Sequence, residues 1–266
     1  MTGTQPMAKN PTGEMPFLDH LEELRWRIVW SLGALVVGVI LGFLMVVKLD
    51  LIRILQQPIA PYLLNTKLVY THPADPFSIA LTASLTVGII IASPVIIYQL
   101  WAFLSPALHR HEKRVVIPVI IGAVLLFVGG VALAYFFVLP MCLKFLMNFQ
   151  VESLQPMITA AGYFGFVMTL ALTFGAAFEL PVLILALATL GLVTPKFLAR
   201  FRPYAFVLSF IVSAIVTPGD IFIATLALTA PLYLLYEVSV VLAAIVFRKR
   251  EAAGYSAEQS AAGGVA

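Results

Sequence analysis

IVWSLGALVVGVILGFLMVV, residues 28–47, contains no charged side chain and is long enough to cross a bilayer as one helix. A bilayer core requires about 20 apolar residues from a helix, because each residue rises about 1.5 Å and no water satisfies the backbone there. Five further charge-free runs follow: Pro76–His109, Val115–Leu143, Ser153–Phe178, Pro203–Gly219 and Ile221–Tyr236. The pattern predicts an all-helical membrane protein with six transmembrane helices.

Composition supports the same class of protein. The 266 residues are 61% hydrophobic and only 11% charged, a profile typical of helical membrane proteins rather than soluble domains. The net charge is only +3, and the basic residues lie near the span ends, which argues for membrane topology and against nucleic-acid binding. Cys142 is the only cysteine, so no internal disulfide can form. The first apolar run starts late and lacks a small-residue cleavage site, so we expect it to remain as a span.

The distribution of Lys and Arg predicts cytoplasmic termini. With both termini in the cytoplasm, 12 of the 16 basic residues lie on the cytoplasmic side and four on the outer side, as the positive-inside rule requires. The four outside are Lys48, Arg53, Lys67 and Lys144. The predicted spans are 26–47, 77–104, 115–139, 160–190, 203–217 and 220–247.

Between the spans, the first outer loop, residues 48–76, carries four prolines and is predicted to be a folded cap. The six-span membrane domain covers residues 15–250 and includes an interfacial N-terminal helix. Residues 1–14 should be flexible, and the Ala-, Gly- and Ser-rich residues 251–266 should be disordered.

The last hairpin is predicted to be short. Residues 203–217 give only about 23 Å of helix, which is less than a hydrocarbon core. Thr217-Pro-Gly-Asp220 reads as a tight outer turn, in which proline presets the turn and Asp220 caps the next helix. The short span either thins the bilayer or is buried among its neighbours, and both interpretations remain open.

The segment before the first span is amphipathic and acidic. Phe17, Leu21, Leu24 and Ile28 form an apolar stripe at helical spacing, predicting a helix that lies at the membrane interface. Four acids also occur there: Glu14, Asp19, Glu22 and Glu23. They either complement the helix dipole, with Glu23 pairing Arg27 at i,i+4, or form a cytoplasmic site for a basic partner.

Two other carboxylates are candidates for function. Glu112 is the sole acid among the basic residues of the loop after the second span, where a solvated charge partner is the plainer interpretation. A metal site with His109 and His111 is disfavoured, because adjacent ligands on a helix point in different directions. Glu179 lies inside the fourth span beside Pro181, which opens the helix. Its carboxylate should face a wet cavity, or be protonated and bond a neighbouring helix.

No nucleophile–base set, Walker loop or Gly-rich phosphate loop is present, so neither an enzyme nor a cofactor is predicted. One rival function is a secondary transporter with Glu179 as coupling carboxylate. The two halves of the chain show no clear repeat, which disfavours that class. An intramembrane protease lacks a visible catalytic pair.

Six stretches together resemble the TatC family, the polytopic membrane subunits of the twin-arginine protein translocase. They cover all but the tails and occur in the family's order: His20-Leu-Glu-Glu-Leu-Arg25, Ser93-Pro-Val-Ile-Ile-Tyr-Gln-Leu-Trp-Ala-Phe103, Ser105-Pro-Ala-Leu-His-Arg-His-Glu-Lys-Arg114, Phe178-Glu-Leu-Pro181, Arg202-Pro-Tyr204 and Thr217-Pro-Gly-Asp220.

The resemblance implies a receptor for signal peptides with paired arginines on folded cargo, exported by the proton-motive force across the cell inner membrane. Family positions that meet the arginine pair match Glu23 and Glu112, with Phe103 beside them and Leu24 and Arg25 in the same site.

The resemblance also implies partners, which are single-span TatA/TatB-type subunits around the fifth and sixth spans, membrane lipid and further copies of the chain. Tyr204 and Thr217 are the predicted docking residues, and Glu179 and Asp220 the intramembrane polar residues. One departure is Ala224, where many relatives have Gln.

Overall fold

Within the residues that the structure describes, six helices are long and apolar enough to cross a bilayer. The structure is a computed structural model that describes residues 17–63, 67–104, 113–148, 157–189, 192–217 and 223–263. The candidate spans are Leu21–Lys48, Asp75–Phe103, Ile117–Asn148, Ala160–Ala188, Pro195–Val216 and Leu228–Arg248. The prediction of an all-helical protein with six spans is confirmed.

Nine α-helices occur in the described part of the chain, and several spans consist of more than one of them. They are α1 (Phe17–Lys48), α2 (Leu51–Gln56), α3 (Asp75–Leu104), α4 (Lys113–Leu133), α5 (Leu139–Asn148), α6 (Ala160–Phe178), α7 (Leu180–Thr189), α8 (Pro195–Val216) and α9 (Ile223–Gly263).

Helices α1 and α3 pack with their backbones in contact. A Cβ at Gly42 would lie 2.5 Å from the carbonyl oxygen of Ser84, and one at Gly88 would lie 2.7 Å from the Cα of Val39. Small residues let membrane helices approach closely. Van der Waals packing then stabilises the contact, because the hydrophobic effect does not drive helices together inside a bilayer. This close contact joins the C-terminal half of α1 to the middle of α3, and the two helices run antiparallel.

The segment before the first span is not a separate helix. The sequence predicts an interfacial helix followed by a span from residue 26, whereas α1 runs unbroken from Phe17 to Lys48. Glu22, Glu23 and Arg25 are compatible with helix, and no Gly or Pro interrupts this segment, so nothing in it ends the helix.

The third span extends past its predicted end at residue 139 and reaches Asn148. A π-helical turn, Ala134–Val138, joins α4 to α5 and ends two residues before Pro140. Proline lacks an N–H and its ring clashes with the preceding turn, which a wider turn relieves. The helix therefore continues instead of ending.

The fourth span is broken where the sequence predicts that Pro181 opens it. Helix α6 ends at Phe178 and α7 begins at Leu180, with Glu179 between them. The amide of Glu179 donates to the carbonyl oxygens of Ala176 and Ala177, which closes the end of α6. This part of the prediction is confirmed.

The outer loop after α1 contains ordered elements. Helix α2 is followed by a 3-10 turn, Ala60–Tyr62, and Ile59 between them is fully buried. The Tyr135 hydroxyl donates to the carbonyl oxygen of Ile54 at 2.5 Å, and the Tyr163 hydroxyl donates to that of Leu55 at 2.6 Å. Side chains from the third and fourth spans thus hold the cap, residues 48–76.

A single parallel β-bridge also joins the cap to the start of the fourth span. The amide of Val69 donates to the carbonyl oxygen of Ile158 at 3.2 Å, and the amide of Ala160 donates to that of Val69 at 2.7 Å. Thr159 then starts α6, because its side chain accepts a hydrogen bond from the amide of Gly162.

Helix α8 starts earlier than the predicted fifth span. Thr194 caps its N-terminus by accepting from the amide of Phe197 at 3.2 Å, and Pro195 follows at a position that tolerates proline. The polar first turns carry Arg200 and Arg202, so the uncharged part, residues 203–216, still measures only about 21 Å.

Helix α9 continues to Gly263, whereas the sequence predicts a disordered tail after Arg250. Residues 251–263 contain several Ala and Glu residues, which have high intrinsic helix propensity. The structure describes residues 251–263 as the last part of α9, and the disorder of this tail stays a prediction.

Candidate functional site

Glu23 binds a guanidinium group within its own helix. The Nε of Arg27 donates to Glu23 Oε1 at 3.0 Å, and Nη2 of Arg27 donates to the same oxygen. Both side chains are 22% exposed, so the pair is partly shielded from water. The predicted i,i+4 pair of Glu23 and Arg27 is confirmed, and it shows how this carboxylate receives an arginine fork.

The same guanidinium connects α1 to α3. Arg27 Nη1 donates to Oε1 of Gln99 at 3.4 Å. Phe103 lies one helical turn beyond Gln99 and is partly buried. Glu23 and Phe103 therefore belong to the same end of the α1–α3 pair, which we call the receptor end. The cap lies at the opposite end.

Of the other predicted members of this site, the structure describes Leu24 and Arg25 but not Glu112. Leu24 is partly buried and Arg25 is exposed, as expected for neighbours on one helical turn that point in different directions. Glu112 lies outside the described residues, as do His109 and His111. No group of three or more His, Cys, Asp or Glu that could hold a metal ion occurs in the ranges that the structure describes.

Glu179 lies in the break between α6 and α7. Its Oε1 atom is buried and has no hydrogen-bond partner among the described residues. Pro181, two residues further, is buried. A buried polar atom without a partner carries a desolvation cost of roughly 1–3 kcal/mol, more for a charged group, which a packing role does not explain.

The predicted docking residues on α8 differ in exposure. Tyr204 is 67% exposed and lies 5.4 Å from Phe201, measured between ring centroids. Thr217 is buried, and its hydroxyl donates to the carbonyl oxygen of Ser213 at 2.8 Å. Asp220 and the side chain of Ala224 lie outside the described part of the structure.

The structure adds a polar contact between the last two spans that sequence reasoning missed. Arg202 Nη2 donates to Glu237 Oε2 at 2.9 Å, and the Tyr233 hydroxyl donates to Glu237 Oε1 at 2.7 Å. The Tyr236 hydroxyl donates to the carbonyl oxygen of Leu198 at 2.7 Å. A carboxylate near a span end, four residues after a tyrosine, was the available signal for this contact.

Gln99 was also missed as a member of the receptor end. An amide side chain inside a membrane helix needs a polar partner, and that requirement is the signal that could have found it. Its partner, Arg27, is far away in the sequence, so only the packing of α1 on α3 reveals the contact.

Comparisons with known proteins agree with this arrangement. The family model of the Sec-independent protein translocase protein (TatC) matches residues 19–231. TatC of Aquifex aeolicus (strain VF5) is 41% identical over 240 residues, which are 89% of this chain and 98% of that protein. TatC of Escherichia coli (strain K12) is 38% identical over 228 residues, which are 85% of this chain and 86% of that protein.

Solved structures show the same likeness. A crystal structure of the twin arginine translocase receptor TatC matches with a TM-score of 0.77 and 40% sequence identity, covering 85% of this chain and 98% of that chain. A second crystal structure of that receptor, in the detergent DDM, matches with a TM-score of 0.77 over 84% of this chain. This multi-pass membrane protein therefore belongs to the TatC family of Sec-independent protein translocase proteins.

Proposed function

We propose that this protein is the receptor subunit of a twin-arginine translocase in the cell inner membrane. It binds the paired arginines of signal peptides on folded cargo, and it organises the complex that exports the cargo by the proton-motive force. Glu23 is the binding carboxylate on α1, and Glu112, which follows α3 in the sequence, is the second one. Phe103, Leu24 and Arg25 line the same site.

The observation that carries this proposal is the contact between Glu23 and Arg27. Glu23 already accepts two donors from one guanidinium, which is the group that a twin-arginine signal presents. Arginine offers a planar fork of donors, whereas lysine offers a compact point charge. A carboxylate held in this way favours arginine over lysine.

Ion pairing alone does not supply the affinity. Exposed pairs contribute about 0–1 kcal/mol each, whereas micromolar binding needs about 8 kcal/mol. The receptor end also presents exposed apolar side chains, among them Leu21, Trp26, Tyr98 and Leu100. We infer that the hydrophobic region of the signal peptide packs on such surface, and that the two glutamates supply specificity.

Charge distribution supports the orientation of the site. With 12 of the 16 basic residues inside, the receptor end and both termini face the cytoplasm. Single-span subunits of the TatA/TatB type then dock around α8 and α9, where Tyr204 is exposed, and copies of the chain assemble within the complex. The protein performs no catalytic step of its own.

Photo-crosslinking tests the proposal. Membranes containing the full chain are treated with a twin-arginine signal peptide that carries a photo-reactive group, and with its double-lysine variant. We expect Glu23→Gln and Glu112→Gln to remove most crosslinking of the twin-arginine peptide. Glu22→Gln is the matched control, because Glu22 is an exposed neighbour on the same helix. Wild-type crosslinking in both Glu23→Gln and Glu112→Gln would reject the site.

A further inference from the structure

Arg27 occupies the carboxylate that the proposed function assigns to an incoming arginine. Its Nε and Nη2 both donate to Oε1 of Glu23, in the manner expected of a ligand guanidinium. Its remaining terminal nitrogen donates to Gln99. All three nitrogen atoms of this guanidinium therefore have hydrogen-bond partners. The arrangement resembles a receptor with an arginine ligand bound rather than an empty receptor.

We propose that Arg27 is a resident competitor that must be displaced from Glu23 when a signal arginine binds. This inference rests on the proposed function, because it concerns the same carboxylate. The competitor is on the same helix as Glu23, one turn away, so it rebinds whenever the ligand leaves. Its effect is to lower the affinity of the site for every cationic ligand.

The exchange is nearly balanced for arginine and unfavourable for lysine. A ligand guanidinium restores to Glu23 the fork of donors that Arg27 gives up, so little free energy is lost at the carboxylate. A ligand ammonium cannot reproduce that fork and leaves Glu23 with a poorer set of hydrogen bonds. Lysine peptides are thereby left with their apolar contacts alone.

The partial burial of the pair sets the size of the effect. Both side chains are 22% exposed, so the pair lies toward the strong end of the range for ion pairs near a surface. Converted to equilibrium constants, that range corresponds to an affinity change of up to about fivefold. Removing the competitor should therefore strengthen binding about two- to fivefold.

The alternative role for Arg27 is structural, because it also ties α1 to α3 through Gln99. The two roles predict opposite results. Loss of a structural tie disturbs the receptor end and weakens peptide binding, whereas loss of a competitor strengthens it. Gln99→Ala separates the two roles, since it removes the tie and leaves the pair of Arg27 with Glu23.

The experiment measures the dissociation constants of fluorescent twin-arginine and double-lysine signal peptides on the purified full chain in lipid nanodiscs. Arg27→Gln should bind both peptides about two- to fivefold more tightly than wild type does. Arg200→Gln is the control for the lost charge, because Arg200 is exposed at the start of α8 and forms no ion pair among the described residues. It should leave both constants unchanged.

Each outcome decides between the possibilities. Equal or weaker twin-arginine binding by Arg27→Gln overturns the competitor role, as does an equal gain in Arg200→Gln. Weaker binding in both Arg27→Gln and Gln99→Ala assigns the structural role instead. Glu23→Gln tests the proposed function separately: unchanged binding there rejects the receptor site itself, whatever the Arg27 variants do.

Discussion

Tyr135 and Tyr163 lie on different membrane spans but donate hydrogen bonds to consecutive carbonyl oxygens of the cap, those of Ile54 and Leu55. The last turn of a helix leaves its carbonyl groups without helical partners, and α2 ends at Gln56. The carbonyl of Leu55 accepts from Tyr163, whereas the carbonyl of Ile54 accepts from both Tyr135 and the amide of Gln57. The two hydroxyls also fix the cap against the third and fourth spans.

We therefore expect Tyr163→Phe to lower the free energy of unfolding by about 1 kcal/mol, since the carbonyl of Leu55 loses its donor. Tyr135→Phe should cost less, because the carbonyl of Ile54 keeps the hydrogen bond from the amide of Gln57. The double variant should expose the cap to protease, because both anchors of α2 are gone. Thermal unfolding in detergent and limited proteolysis of the cap measure these effects.

Tyr98→Phe is the control for these variants. Tyr98 is 53% exposed and its hydroxyl makes no hydrogen bond within the described residues. Its replacement should leave both the unfolding temperature and the proteolysis rate unchanged. A double variant of Tyr135 and Tyr163 that resists protease as wild type does would contradict the anchoring role.

A second prediction concerns the contact between α1 and α3. Gly88→Ala places a methyl group 2.7 Å from backbone atoms of Val39, which cannot move independently of the helix. Overpacking of this kind costs typically about 1–3 kcal/mol. Gly33→Ala is the matched control on α1, because nothing lies within 4 Å of its added Cβ. Unfolding of the two variants side by side should show a loss only for Gly88→Ala.

A third prediction concerns the ion pair between the last two spans. Arg202→Glu and Glu237→Arg should each destabilise the protein, since each places like charges together. The double variant should recover part of the loss, with a coupling of about 1 kcal/mol. The side chains are 47% and 27% exposed, so a larger coupling is not expected. Additive losses in a double-mutant cycle would show that the pair contributes nothing.

A fourth prediction separates stability from function at Glu179. Glu179→Gln removes an ionisable group from a membrane span, where a charge is costly by about 2.5–3.5 kcal/mol on insertion scales. Because Oε1 makes no hydrogen bond among the described residues, we expect the variant to unfold at the same temperature or a higher one. Export of a twin-arginine reporter should nevertheless fall if the carboxylate faces a hydrated cavity.

Glu237→Gln provides the comparison for Glu179. Glu237 accepts hydrogen bonds from Arg202 and Tyr233, so its neutral variant should lose stability rather than gain it. If both glutamine variants were destabilised alike, Glu179 would have a structural partner that the described residues do not include.

Hydropathy predicted the spans because bilayer thickness and helix rise fix their length before any side chain packs. It could not locate helix ends that depend on local hydrogen bonding. Thr194 starts α8 nine residues before the apolar run, and the start of α1 depends on residues that are polar and helix-compatible. In both cases the helix continues beyond the hydrophobic region, and composition alone detects only that region.

The polar contacts of the candidate site residues were predictable in part. The pair of Glu23 and Arg27 follows from their i,i+4 spacing, and the break at Glu179 follows from Pro181. Gln99 and the pair of Arg202 with Glu237 were not predicted, because each joins residues that are distant in the sequence. Such contacts depend on which faces of two helices pack against each other, and a single sequence does not specify this pairing of faces.

The wide turn at Ala134–Val138 has a consequence for the length of the chain. A π turn is an α-helical turn that holds one additional residue. Four residues of a regular α-helix turn through about 400°, which is nearly the angle that the five residues of this π turn span. Deleting one of its residues would therefore restore regular winding and leave Cys142 and Leu143, both buried, facing the interior. A deletion within the regular part of α4 would instead rotate both side chains by about 100° around the helix axis. One residue can therefore be lost from this turn, whereas the number of residues in the regular helix before it cannot change.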